Sequence, residues 1–229
     1  MDHGWSGVPT KSESAHEHLK QLVIEGRLRP SRRLSPTDLA ALLQISVTPV
    51  RDALVRLEAE GFVAGEPGRG HFSKPFTVEE QRDLQRQLFT SFLTCLDEVA
   101  RDQGPAVRAA LSAWRDAVAG LPEADTALAF VAAYDRLLIG LADRATSAIQ
   151  PRLVRNAVER TRYVRRLDAR QAGRRAAVAA GIDAVGARAL EGDLMGAIEV
   201  LRGQARALGV ELPHLVAEAN AQISSLRFP

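Results

Sequence analysis

The stretch SPTDLAALLQISVTPVRDALVRLEAEGFVAGEPGRGHFSK, residues 35–74, constrains the fold more than any other part of the chain, because it fits two helix starts and a hairpin into 40 residues. Ser35 has the short polar side chain of an N-cap, Pro36 falls at the first helical position, where a missing N–H is harmless, and Asp38 sits near the positive helix end. This helix is expected to run to about Leu43. After the connection QIS, Ser46 is expected to cap a second helix by accepting from first-turn amides, with Pro49 inside that turn. Val50, Ala53, Leu54 and Leu57 recur at i, i+3, i+4, i+7 and form one apolar face, while Val47, Thr48, Arg51 and Asp52 share the opposite one. Gly61 ends the helix. FVAG and HFSK alternate like short strands around EPGRG, which has hairpin chemistry.

Upstream, Leu19, Leu22 and Val23 suit one face of a helix from Ser12 to Glu25 that Gly26 closes, and Leu34 suits a short strand. Residues 1–11, with Gly, Ser and Pro and little periodicity, are expected to be disordered. Three helices followed by a two-stranded ribbon make a winged helix-turn-helix, here over residues 12–75. From Phe76 to the end, residues 76–229, strand signals nearly vanish. Breaks at Gly104-Pro105, Gly120-Leu121-Pro122, Arg144 to Ser147, Leu167 to Gly173, Gly192 and Leu212-Pro213 imply about six or seven helices in an all-α helical bundle. The fold class expected is therefore mainly α, with a small β-ribbon wing.

With 229 residues and 46% hydrophobic content, the chain can fill a core in each of two modest domains. The longest apolar runs fall well short of the roughly 20 residues of a membrane span, and MDHGWSGVPTKSES lacks a basic start followed by an apolar core. A cytoplasmic protein with no membrane partner is the expectation. The single cysteine, Cys95, reads as a small core residue. No nucleophile motif, P-loop, dinucleotide fingerprint or metal cluster is apparent, so an enzyme is not expected. The net charge of +2 decides nothing, but RLRPSRR, residues 27–33, carries four arginines and no acid.

A helix end that enters a major groove needs small polar residues for close approach and long cationic ones for base edges or phosphates. Ser46, Thr48 and Arg51 meet that need. In the wing, Gly68 and Gly70 allow a tight backbone, Arg69 projects toward a groove and His71 adds a polar neighbour, while Arg32 and Arg33 suit the phosphate backbone. The ordinary alternative, solvated surface arginines, is weakened by the clustering of cap, turn, second helix and Gly-Arg-Gly hairpin. A winged domain that docks a protein partner is the other alternative. His16 and His18, two residues apart on a helix, diverge and are expected on the surface.

The segment from Arg27 to Phe72 resembles the DNA-binding domain of the GntR family of bacterial transcription regulators, in the FadR/FCD-type branch with an all-helical effector domain. Gly26, Pro30, Leu34, Leu39, Ala40, Leu43, Ser46, Thr48, Pro49, Val50, Arg51, Ala53, Leu54, Arg56, Leu57, Glu60, Gly61, Val63, Gly68 and Gly70 match the family pattern. Ser31 and Gln44 replace turn glycines, which implies slightly different turns. Val47 replaces the arginine of S-R-T-P, so it is expected to meet a thymine methyl or leave a gap. The resemblance implies a homodimer that binds double-stranded DNA at an inverted repeat, with repression as the default.

The later half resembles the FCD domain through YDRLLIGLADRATSAI (134–149) and ALEGDLMGAIEVLRGQ (189–204). In metal-binding relatives one Asp and three His hold a divalent ion beside a carboxylate effector. Asp135 matches the acidic ligand, whereas Ile139, Ile182 and Gln204 occupy the histidine positions, and His214 is the single histidine after residue 75. No metal site and no cofactor are expected. Leu88 stands where relatives carry a carboxylate-binding arginine. A pocket made more apolar by Leu88, Ile139 and Ile182 suits an apolar or amphipathic effector, an acyl or aromatic acid; the alternative is a cavity collapsed into core. The arginines from Arg152 to Arg175 read as a solvated face with local ion pairs, rather than a second nucleic-acid surface or an anion clamp.

Overall fold

A computed structural model describes residues 10–225. The expectation of disorder over residues 1–11 lies, for residues 1–9, outside the described residues. The chain divides into two compact units, residues 1–75 together with 220–229, and residues 76–219.

In the first unit, α1 (Lys11–Ile24), α2 (Pro36–Leu43) and α3 (Val47–Ala59) precede the strands β1 (Val63–Glu66) and β2 (Gly70–Ser73). Helix α1 starts one residue earlier than its apolar spacing implies. The cause is a capping box, in which the Glu13 amide donates to Thr10 Oγ1 at 3.2 Å and the Thr10 amide donates to Glu13 Oε2 at 2.7 Å. The strands pair antiparallel, with Val63 opposite Ser73 and Glu66 opposite Gly70. Residues 31–34 run alongside β2, where the Leu34 amide donates to His71 O at 2.8 Å and the Ser73 amide to Arg32 O at 2.9 Å. Arg33 bridges to Phe72, so the short strand expected at Leu34 is an isolated bridge at its neighbour. Val50, Ala53, Leu54 and Leu57 are all buried and join Leu19, Leu39 and Phe62 in one core.

Two turns keep a geometry that the sequence argued against. Ser31 (φ 58°) and Gln44 (φ 55°) both adopt the left-handed conformation natural to glycine, so the turns are preserved at the expense of backbone strain. At Gln44 the Ile45 amide reaches back to Ala40 O at 3.1 Å, which terminates α2 in a Schellman-type cap. Gln44→Gly is therefore expected to stabilise the first unit by about 1 kcal/mol. Urea unfolding would read this as a higher midpoint at unchanged slope; a lower midpoint would show that the Gln44 side chain contributes more than the strain removes.

His16 departs from expectation. It is buried, and its Nε2 lies 3.0 Å from Glu60 Oε2 at the end of α3. The reason is rotation around α1: His16 lies next to Ala15 and three residues before Leu19, on the face turned toward α3, whereas His18 is exposed.

The second unit contains α4 (Val78–Ala119), α5 (Thr126–Ala142), α6 (Gln150–Asp168), α7 (Ala172–Leu190) and most of α8 (Leu194–Ser225). Because α4 consists of two helices joined across a kink, the described residues of this unit form six helical segments, within the six or seven expected. At the break expected at Gly104-Pro105, α4 is two helices joined across a kink, with non-helical backbone at Gln103 (φ −136°, ψ 44°), whereas Pro213 lies within α8. A proline removes one backbone donor and clashes with the preceding turn, which kinks a long helix without ending it when packing holds both halves. Leu96, Val99, Val107, Leu111, Leu141, Val158 and Val185 form the centre of this core. Cys95 belongs to it, and burial pushes its thiol up to about 11. The mainly helical fold with a two-stranded wing is as expected.

Candidate nucleic-acid interface and the helical-bundle cavity

Helix α3 turns its apolar face to the core and leaves Ser46, Thr48 and Arg51 exposed. Ser46 occupies the N-cap with extended backbone (φ −72°, ψ 162°), but its side chain makes no capping hydrogen bond. This corrects the expected cap. The consequence favours an anion: first-turn amides that no side chain satisfies, at the positive end of the helix dipole, are a ready phosphate site. Thr48 and Arg51 lie on the outer side of that first turn, and no ion pair holds Arg51 among the described residues. Val47 is half-buried and packs against the core, so it is only partly available to a groove.

The wing is held close to α3 by His71, whose Nε2 lies 3.0 Å from Glu58 Oε2. His71 thus anchors the hairpin and has less freedom to contact DNA than its place in the sequence suggested. Gly68 (φ 74°) and Gly70 (φ 94°) form the tight tip. Arg69 at that tip is mostly exposed, ion-pairs with Glu66 and lies over the Phe72 ring at 5.3 Å. Arg32 and Arg33 are exposed on the segment paired with β2. Serine, threonine and arginine side chains of α3 and the arginines of the wing thus belong to one small unit, without side-chain ion pairs at Arg32, Arg33 or Arg51 among the described residues.

In the second unit, the residues expected at one pocket separate. Ile182 and Gln204 line a partly open cavity between α4, α5, α6, α7 and α8, whereas Asp135 and Ile139 border a separate cleft together with Arg162. Leu88 faces neither; it is 1% exposed and packed in the core. The cavity has not collapsed. Its walls include Phe89, Phe92, Phe130, Tyr134 and Val178. Gln204 donates to Ala177 O at 2.9 Å, and Gly181 makes room for it, since a Cβ there would stand 2.4 Å from Gln204 Nε2.

The arginine run is not a uniformly solvated face. Arg165 and Arg174 line the cavity with side chains 10% and 16% exposed. Arg174 clasps Asp168 through Nε at 2.8 Å and Nη2 at 3.1 Å, and these bonds to Asp168 hold its guanidinium above the usual arginine range. Arg165 Nη2 lies 2.7 Å from Asp135 Oδ1, and Arg162 Nε donates to Asp135 Oδ2 at 2.9 Å. Arg165 Cζ also stands 5.1 Å from the Tyr134 ring centre. The sequence did carry a signal for this. Val154, Ala157, Val158, Thr161 and Arg165 follow one helical stripe, so Arg165 occupies a core-facing position.

The residues present do not fit the divalent ion that the resemblance implies. Asp135 is engaged by two guanidiniums, and isoleucines with no donor atoms stand at two of the three histidine positions. Among the described residues, no three of His, Cys, Asp and Glu come together as a metal site. No helix among the described residues is long and apolar enough to cross a membrane.

Together these features define a winged helix-turn-helix protein with an all-helical second unit. Residues 11–72 match the model of the bacterial regulatory proteins of the gntR family, so the winged unit is similar to the DNA-binding domains of that family. The Nta operon transcriptional regulator of Aminobacter aminovorans is 35% identical over 63 residues, covering 28% of this chain and 30% of that protein. The chain spans between 30% and 42% of the length of the first curated relatives it matches. Two solved structures share the fold across both units. McbR/YncC of E. coli superposes with TM-score 0.63 at 16% identity over 90% of this chain and 99% of that one. Lar, described as controlling expression of the Listeria monocytogenes agr system, superposes with TM-score 0.62 at 15% identity, covering 92% of this chain and all of the other.

Proposed function

We propose that this chain is a ligand-responsive transcriptional repressor that binds double-stranded DNA as a cytoplasmic homodimer, each winged domain reading half of an inverted repeat. The observation that carries the reading is the open N-terminal end of α3, with Thr48 and Arg51 exposed on an uncapped first turn. Thr48 and Arg51 read base edges, Ser46 and the first-turn amides meet a phosphate, and Arg32, Arg33 and Arg69 follow the backbone. One such module buries little DNA surface, and two linked half-sites add effective concentration without new contacts. The helical unit, which resembles the FCD type, supplies dimerisation and the effector cavity. Selection of bound sequences from a random duplex pool is expected to return an inverted repeat with a steep salt dependence. Recovery of no repeat, or no DNA retention even at low salt, would remove the regulator reading and leave a protein-docking winged domain.

Val47 sets part of the operator preference. Its half-buried methyls suit a thymine methyl, and in Val47→Arg the aliphatic stem can keep that packing while the guanidinium reaches a base. The variant is expected to bind DNA about tenfold more tightly and to shift its half-site toward guanine. Repeating the pool selection with the variant checks this, and an unchanged operator would count against a groove position for residue 47.

A further inference from the structure

Helix α3 carries an acid where a DNA-facing surface should reject one. Thr48, Arg51, Val55 and Glu58 recur at intervals of three and four residues and are all exposed, so Glu58 ends the stripe whose head is offered to the groove. A carboxylate on that stripe repels phosphates unless it is committed elsewhere. Here it is committed to the wing. Glu58 Oε2 lies 3.0 Å from His71 Nε2, and since a carboxylate only accepts, that ring nitrogen carries the proton. Gly65 stands directly opposite His71 in the ribbon, so the two share one face. The Glu58 carboxylate fills the space that Gly65 leaves on that face, where a Cβ would overlap both of its oxygens. Gly65 is not among the glycines with positive φ, so close approach explains it, not backbone geometry.

We infer that Glu58 is a positioning residue for DNA binding: seated on the Gly65–His71 pair, its carboxylate fixes the angle between the ribbon and α3, and thereby places Arg69 on the DNA backbone while Thr48 and Arg51 occupy the major groove. Other contacts hold the ribbon at its root and along one edge. Val63 enters the core, and residues 31–34 bond to β2 through their backbone. Arg69 contacts Glu66 and Phe72, which belong to the hairpin itself, so those contacts shape the tip without orienting it toward α3. Two-stranded ribbons span a wide range of twist, so a contact on the face sets where the tip points. The inference rests on the DNA-binding reading of the winged unit and adds to it a residue that acts through the wing instead of touching DNA.

The test is fluorescence anisotropy of full-length variants on the selected operator. Glu58→Ala removes a negative charge beside the groove, which on charge alone would tighten binding; it is expected instead to weaken it about fivefold. Glu58→Gln keeps an oxygen that accepts from His71 without the charge, and is expected to bind at least as tightly as wild type. Gly65→Ala leaves Glu58 in place but displaces its carboxylate, so it is expected to match the loss in Glu58→Ala and to cost nothing further when the two are combined. Arg69→Ala is expected to weaken wild type about fivefold and the Glu58→Ala variant less than about twofold, whereas Arg51→Ala weakens both alike because α3 still docks. A Glu58→Ala variant that binds as tightly as wild type or more tightly, a Glu58→Gln variant no better than Glu58→Ala, or additive losses for Glu58 and Arg69 would each overturn the inference and leave the DNA-binding reading intact. No binding of wild type to any duplex at low salt would remove that reading and the inference with it.

Discussion

Replacing Arg51 by alanine is expected to weaken operator binding by about 10- to 100-fold per half-site while leaving the melting temperature unchanged. Arg51 is exposed, and no core contact is lost with it. A long cation in the first turn of α3, beside Thr48, is placed for a bidentate contact to guanine or a clamp on a phosphate. Loss of such a contact accounts for about 1–3 kcal/mol of binding energy. Fluorescence anisotropy on the selected operator and on a scrambled duplex separates the two roles. If Arg51 reads a base, the scrambled duplex loses little and specificity falls; if it meets a phosphate, both weaken and the salt slope drops by about one. Unchanged affinity for both would exclude Arg51 from the interface.

The second large effect lies in the helical unit. Asp135→Ala is expected to lower stability by roughly 3–5 kcal/mol, because it strips a buried guanidinium of its counterion. Asp135 is 4% exposed, and the more buried of its two partners, Arg165, has a side chain only 10% exposed, whereas Arg162 at 29% can turn toward water. The combined variant Asp135→Leu with Arg165→Met replaces both charges by apolar groups of similar size and is expected to recover most of the loss. Urea unfolding in EDTA reads both. A single variant within about 1 kcal/mol of wild type would show that the ion pair is not structural, and a loss seen only when zinc is supplied would mark Asp135 as a metal ligand after all.

How much of this was legible in the chain differs between the two units. In the winged unit, side chains interact mostly with near neighbours in sequence, so caps, helix faces and the Gly-rich tip could be read directly. Yet the hydroxyl of Ser46 caps nothing, and His71 is engaged by Glu58 thirteen residues away, because both outcomes depend on how α3 and the wing meet. The position of His16 beside Ala15 and three residues before Leu19 does place it on the packed face of α1, a signal that outweighs its polar side chain. In the bundle, the break expected at Gly104-Pro105 is present as the kink at Gln103, whereas the one expected at Leu212-Pro213 is absorbed within α8.

By itself the sequence determined the winged helix-turn-helix, the switch to helices near Phe76, and the residues at the head of α3, since local hydrogen bonding and a 3.6-residue apolar period act within a few residues of chain. Only the tertiary structure decided that Asp135 faces arginines and that Leu88 fills core while Ile182 and Gln204 line a cavity. Those outcomes depend on pairs 27 and more residues apart, such as Asp135 with Arg162. Burial and charge there are set by which helix faces meet, and one helix's sequence does not contain its neighbour's face.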